Sequence, residues 1–121
     1  MSRTRASAKT AGTRFETSIA RYLAEHVDDR IERRTKTGAA DRGDIAGLRT
    51  STGKRIIVEC KNTTRVALAE WQRETEVERQ NDGAIAGIIA HKRHGKTNPG
   101  DQWVTMTMAD LAALITDQRK D

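Results

Sequence analysis

One cysteine stands among 121 residues. No internal disulfide can form, and His91 and His94 have no set of cysteine or histidine partners at structural-zinc spacing. So few thiols fit a reducing cytoplasm. Aromatics are equally scarce, at 3% of the chain (two Trp, one Tyr, one Phe). That argues against a dedicated single-strand binder built on stacked bases. No apolar run reaches the ~20 residues a membrane helix needs, and no secretory h-region follows the N-terminus. Neither a membrane span nor a leader is expected.

Positive charge is what the chain has in excess: 22 Lys and Arg against 17 Asp and Glu, a formal net charge of +5. Such a balance favours an anionic partner, nucleic acid first among them. The length suits one modest domain whose core stabilises itself without staples.

Residues 1–11, "MSRTRASAKTA", are small, polar and basic. They are expected to form a disordered arm, either plainly solvated or loosely gripping phosphate. From Gly12 the pattern turns helical. Phe15, Ile19, Tyr22, Leu23 and His26 share one face, with Thr13 as N-cap and Glu16 in the capping-box position. "RIERRTKT" reads as a short strand and "GAADRGD" as a turn. "DIAGLRT" and "KRIIVECK" read as a hairpin closed by "STG". A second helix, "LAEWQRETEVERQND", carries Leu68, Trp71 and Thr75 as a narrow apolar stripe and stops at Gly83. "AIAGIIAHK" is a buried strand, "QWVTMT" a last strand and "MADLAALITDQ" a closing helix. The expected order is α-β-β-β-α-β-β-α, an α/β domain over 12–121 with a mixed central sheet flanked by helices.

The informative stretch is "RIIVECKN", an apolar strand that ends in Glu59 and Lys61. Alternation puts Ile57, Glu59 and Lys61 on one face and Ile56, Val58 and Cys60 on the other. A turn centred on Thr52 and Gly53 sets Leu48 opposite Ile57, Ala46 opposite Glu59 and Asp44 opposite Lys61. Asp44, Glu59 and Lys61 then meet above a dry floor of Leu48 and Ile57. Two carboxylates converging at that range repel each other, and a hard divalent cation relieves the repulsion. Lys61 beside such an ion holds a water or offsets charge on a phosphate. The plainer alternative is a surface ion pair of Lys61 with Glu59 or Asp44, worth about 0–1 kcal/mol. Cys60 points away from the acids, as a core thiol does, and Trp71 and Trp103 are expected to be packing residues, with a place at a dimer surface as the alternative for one of them.

"DIAG" from Asp44, followed by a hairpin and "VECK" ending at Lys61, resembles the core of the PD-(D/E)XK nuclease superfamily. With "GTRFE" ending at Glu16, "ERR" from Glu32 and "LAEWQ" ending at Gln72, the pattern is similar to Holliday junction resolvases of the archaeal type and their phage relatives. It spans Gly12 to Lys92. The superfamily's proline before the aspartate is absent; Gly43 stands there, and Asp41 is a rival to Asp44. The resemblance implies a restriction-endonuclease-like fold and hydrolysis of DNA phosphodiesters with magnesium, for which manganese substitutes. It implies Asp44, Glu59 and Glu16 as metal ligands, Lys61 as the group that orients water or stabilises charge, and Gln72 as a polar residue near the site. It also implies a homodimer acting on four-way junctions in the cytoplasm, in a bacterial host if the chain is phage-encoded. The alternatives are another endonuclease of the superfamily (nicking, restriction-like or repair) and a non-catalytic DNA-binding protein. Arg33, Arg34, Lys36 and Arg42 before the hairpin, and Lys92, Arg93 and Lys96 after the buried strand, are candidate phosphate contacts, with solvated charge as the alternative for each.

Overall fold

Residues 3–35 and 42–120 are described by a computed structural model. Among them three helices and five strands follow in the expected order: α1 (Arg5–His26), β1 (Glu32–Arg33), β2 (Ile45–Ala46), β3 (Ile56–Lys61), α2 (Leu68–Asp82), β4 (Ala86–His91), β5 (Trp103–Thr105) and α3 (Met108–Thr116), with a 3-10 turn at Pro99–Asp101. The fold is α/β. One mixed sheet runs β1-β2-β3-β4-β5. β3 and β4 are parallel, joined through α2, and the other pairs are antiparallel. Among the described residues no helix is long and apolar enough to cross a membrane.

α1 starts earlier than its apolar period suggests. Thr4, not Thr13, is the N-cap, and its hydroxyl accepts from Ser7 N at 3.0 Å. The residues expected as a disordered arm are thus helical from Arg5. "RASAKTA" is rich in good helix formers, and Arg3 is tied to the far end of β3 by donating to the Asn62 carbonyl at 2.7 Å. Phe15, Ile19 and Ala20 bury against Ile31, Ile45, Leu48, Val58, Cys60 and Ala90, with Leu23 at the margin. A large apolar side chain fully buried there contributes about 1.5–3 kcal/mol. His26, expected on that face, is exposed and lies against Tyr22 with ring centroids 4.3 Å apart.

The opposite face of the sheet takes α2. Its buried residues include Trp71, Thr75 and Glu78, spaced i, i+4, i+7. Leu68, expected in that stripe, is exposed. The helix comes close because β4 carries Gly87, where a Cβ would stand 2.7 Å from Thr75 Cγ2. α3 packs Ala113 against Ile85 and Ala86. Its Asp110 carboxylate accepts from Gly87 N at 3.3 Å and from Arg119 Nη1 at 2.6 Å, so a side chain occupies a hydrogen-bonding group of β4 that β5 leaves unpaired.

The hairpin between β2 and β3 departs from the expected register in two steps. Thr50 N donates to Lys54 O at 2.8 Å, and Arg49 bridges Arg55. The loop is therefore 51–53, three residues with Gly53 at φ +90°, rather than two. That single-residue slip turns Leu48 onto the α1 face, where it joins the core. Gly47, at φ +93°, then inserts a second extra residue, so that Ile45 opposes Val58. A Cβ at Gly47 would lie 3.1 Å from Arg30 O and 3.2 Å from Ile31 Cα. Two slips of one residue restore the original face. Asp44 comes opposite Glu59 instead of Lys61, and Leu48 no longer forms part of the floor.

Candidate active site

Glu59 is the centre of the arrangement. β3 is an interior strand, so a residue three from its start is buried whatever its polarity, and Glu59 is 5% exposed. Its Oε2 is buried with no hydrogen-bond partner among the described residues. The carboxyls of Glu78 and Asp44 face the Glu59 carboxyl group. Burial first, then Glu78 and Asp44, hold the Glu59 carboxyl far above its ordinary 4.5. Carboxyls in mutual contact can hydrogen-bond only if one keeps its proton, and the upward shift of Glu59 favours its protonated form.

Asp44 is 2% exposed. Its backbone N donates to Val58 O at 2.9 Å, and its carbonyl accepts from Arg34 N at 2.7 Å. Beyond this point the β2 ladder ends, and the Asp44 side chain continues it: Oδ2 accepts from Cys60 N at 2.8 Å. Cys60 is buried on the α1 face as expected, and burial, reinforced by Asp44, Glu16 and Glu59, pushes its thiol up.

Lys61, two residues beyond Glu59, donates to Glu74 Oε2 at 3.0 Å. Burial alone would pull its ammonium down. The Glu74 hydrogen bond and the neighbouring carboxylates outweigh that and hold it above its usual value. Asp44, Glu59 and Lys61 are thus drawn to one end of the sheet, with Lys61 engaged by a partner on α2.

Glu16 and Gln72 are placed differently. Glu16 sits on α1 and accepts from Arg33 Nε at 2.8 Å. The expected triad of Glu16, Asp44 and Glu59 is not assembled: among the described residues no three His, Cys, Asp or Glu side chains form a group that could hold a metal ion. The reason is local, since Arg33 on β1 pairs with Ile45 and so faces α1. Gln72 lies one turn before Glu76, on the flank of α2 that meets Arg79 and Arg119, while Glu74 meets Lys61 from another flank. α2 brings Glu74 and Glu78 to the site. The spacing of Trp71, Thr75 and Glu78 is the signal that would have found Glu78, an acid on an otherwise buried stripe.

Of the candidate phosphate contacts, Arg33 is committed to Glu16. Arg34 has its Nε buried without an acceptor among the described residues. Arg42 and Lys96 are exposed. Lys92 continues β4, its backbone N donating to Lys61 O at 3.0 Å, and its ammonium turns back to the Lys96 carbonyl. Arg93 lies over the Trp103 ring, 4.4 Å from its centroid. Lys36 and Asp41 lie outside the described residues. A cleft of about 390 Å³ opens at the end of β3 between Arg3, Gly12, Cys60, Lys61 and Asn62. A second, of about 450 Å³, continues past Asn62 to Arg14, Lys92 and Gln102. Arg3 and Arg14 thus add cations to the grooves that the motifs did not single out.

His91 is a structural histidine, its Nε2 2.8 Å from Thr105 Oγ1 and its ring 5.7 Å from Trp71, with burial lowering its pKa. Trp71 is buried as expected; Trp103, expected to pack, is 49% exposed.

No family model, no curated protein and no solved structure matches the chain. The site therefore has to be read from its own chemistry. A buried acid faced by two further carboxyls is a set of oxygen donors at the end of an interior strand. Carboxylate oxygens are the ligand class that hard divalent cations prefer.

Proposed function

We propose that this chain is a divalent-cation-dependent endodeoxyribonuclease with a restriction-endonuclease-like fold, acting as a homodimer on four-way DNA junctions. The observation that carries the reading is Glu59: an acid buried at the end of an interior strand, with the Asp44 and Glu78 carboxyls against it and Lys61 two residues on.

Asp44 and Glu59 would hold the ion, with Glu78 behind Glu59. Glu16 joins them only by exchanging the Arg33 guanidinium for the ion. A bound magnesium ion supplies a Lewis acid at the phosphoryl oxygen and lowers the pKa of a water. Lys61 contributes a fixed positive charge two residues from Glu59. Swinging from Glu74 toward the scissile phosphate, it orients the attacking water or offsets the negative charge that develops in the transition state. Lys92, Arg14 and Arg3 guide the backbone along the groove. Two chains related by a two-fold axis present two such sites to symmetric strands of a junction.

The test is cleavage of a panel of branched and linear DNAs with magnesium. Wild type should place paired, symmetry-related nicks in a four-way junction and spare linear duplex of the same sequence. Glu59→Gln and Asp44→Asn should bind the junction and leave it whole. Equal cutting of duplex and junction would leave a general endonuclease of the superfamily. Binding without cutting by wild type would leave a DNA-binding protein that keeps only the fold.

A further inference from the structure

Trp103 opens β5 at the end of the sheet where β3 and β4 finish. The register sets Lys61 beside His91 and His91 beside Trp103, one row across three strands. At about 4.8 Å per strand, Trp103 stands roughly 10 Å from Lys61. In a chain with two tryptophans, leaving half of one indole in water forfeits one of its largest sources of burial. Arg93 lies over its ring at 4.4 Å, and the Arg93 backbone N is fixed by Gln102 Oε1 at 2.7 Å. The indole is therefore held by a cation–π contact as well as by its strand. Lys92, His94 and Lys96 belong to the same segment between β4 and β5 as Arg93.

We propose that Trp103, held by Arg93, is a stacking platform for an unpaired or splayed base of the DNA next to the cleavage site. The inference rests on the nuclease reading and adds to it the residue that selects distorted over fully paired DNA. A flat π face amid cations suits a nucleotide: the ring takes the base and the cations take its phosphates. A second copy of the chain suits it less, because a two-fold contact would set the same cationic loop against itself. At about 3.4 Å per nucleotide, the stacked base lies about three nucleotides from the phosphate over Lys61. That is close enough to the branch point of a junction for a base to be free of its partner. Few aromatics argue against a long stacking channel, and a single platform needs one.

The test is equilibrium binding of the full-length chain, in EDTA so that nothing is cut, to three probes: a four-way junction, a duplex with one unpaired base, and the same duplex with an abasic site at that position. Trp103→Ala should weaken binding to the first two by roughly 5- to 150-fold, the range one base–aromatic stack is worth, without changing the salt slope. Trp103→Phe should recover most of the loss. The abasic probe should bind wild type and Trp103→Ala alike, and tryptophan emission should be quenched by the unpaired-base duplex but not by the abasic one. Equal affinities of wild type and Trp103→Ala for every probe overturn the platform and leave the nuclease reading standing. So does a loss that merely follows conversion of a dimer to monomers in sedimentation, which would make Trp103 a self-association residue. No binding of wild type to any probe overturns both readings.

Discussion

The buried proton at Glu59 has a measurable cost. Consider unfolding of the cation-free protein in urea, in EDTA, at a series of pH values. In the unfolded chain Glu59 ionises near 4.5; in the folded chain burial, Glu78 and Asp44 keep it protonated far above that. The folded state therefore binds one more proton throughout the intervening range. The contribution of Glu59 is flat below about pH 4.5 and falls as pH rises beyond it, at about 1.4 kcal/mol per pH unit. From pH 5.5 to 7.5 the loss from this one site is about 3 kcal/mol, or about 10 °C in Tm for a chain of this size. His91, lowered by burial, titrates with the opposite sign below its ordinary 6.5, so wild type alone is an unclean measure. The difference between wild type and Glu59→Gln removes that contribution. The amide has no proton to lose, so Glu59→Gln should match wild type near pH 5 and exceed it by about 3 kcal/mol at pH 7.5. Saturating magnesium should reverse the trend in wild type, because the ion takes the ionised carboxylates and its affinity rises with pH. A difference curve that is flat with pH would refute the stored proton. A wild-type curve untouched by magnesium would refute the cation site.

Three further outcomes follow from the same geometry. Lys61→Met should lower turnover by a factor of roughly 100 or more at saturating DNA while changing junction affinity little, as read from single-turnover kinetics; a loss of affinity alone would make Lys61 an ordinary phosphate contact. Reversing Arg33 and Arg34 to Glu should weaken junction binding and reduce its salt slope by up to about 2, one for each phosphate left without its cation; because Arg33 also neutralises Glu16, Arg33→Glu alone should lower Tm as well, and an unchanged slope would remove both from the DNA surface. Gly47→Ala should cost about 1–3 kcal/mol in urea unfolding through its positive φ and the approach of Arg30 O, and wild-type stability in that variant would mean the bulge is not what sets the hairpin register.

Much of this was legible in the chain. Apolar period and turn chemistry gave the element order correctly, because long periodic stretches such as "AIAGIIAHK" leave little choice. The start of α1 was not legible from its apolar face, since residues 5–11 form helix by propensity and a cap rather than by burial. The hairpin shows how a site can survive a wrong register. A three-residue loop and a bulge each move the ladder by one, and pleating makes the two moves cancel for Asp44 while the first alone displaces Leu48. Glu74 and Glu78 were hidden because a mostly polar helix gives few clues to which acids turn inward. Arg33 looked like a phosphate contact because its partner, Glu16, lies 17 residues away and only the fold joins them.

The hydrogen bond from Cys60 N to Asp44 Oδ2 gives the site an internal reporter. The same carboxylate would both grip an ion and hold the last amide of the hairpin, so the two roles compete for its lone pairs. Protection of the Cys60 amide against hydrogen exchange becomes a gauge of how the carboxylate is engaged, visible without DNA and without turnover. It also separates substitutions that look equivalent. Asp44→Asn keeps an oxygen for the amide and should leave the strand end closed, whereas Asp44→Ala opens it and lets solvent reach the backbone beside Glu59. Inactivity of the second variant would then report a frayed strand as much as a missing ligand, which makes the asparagine variant the informative one.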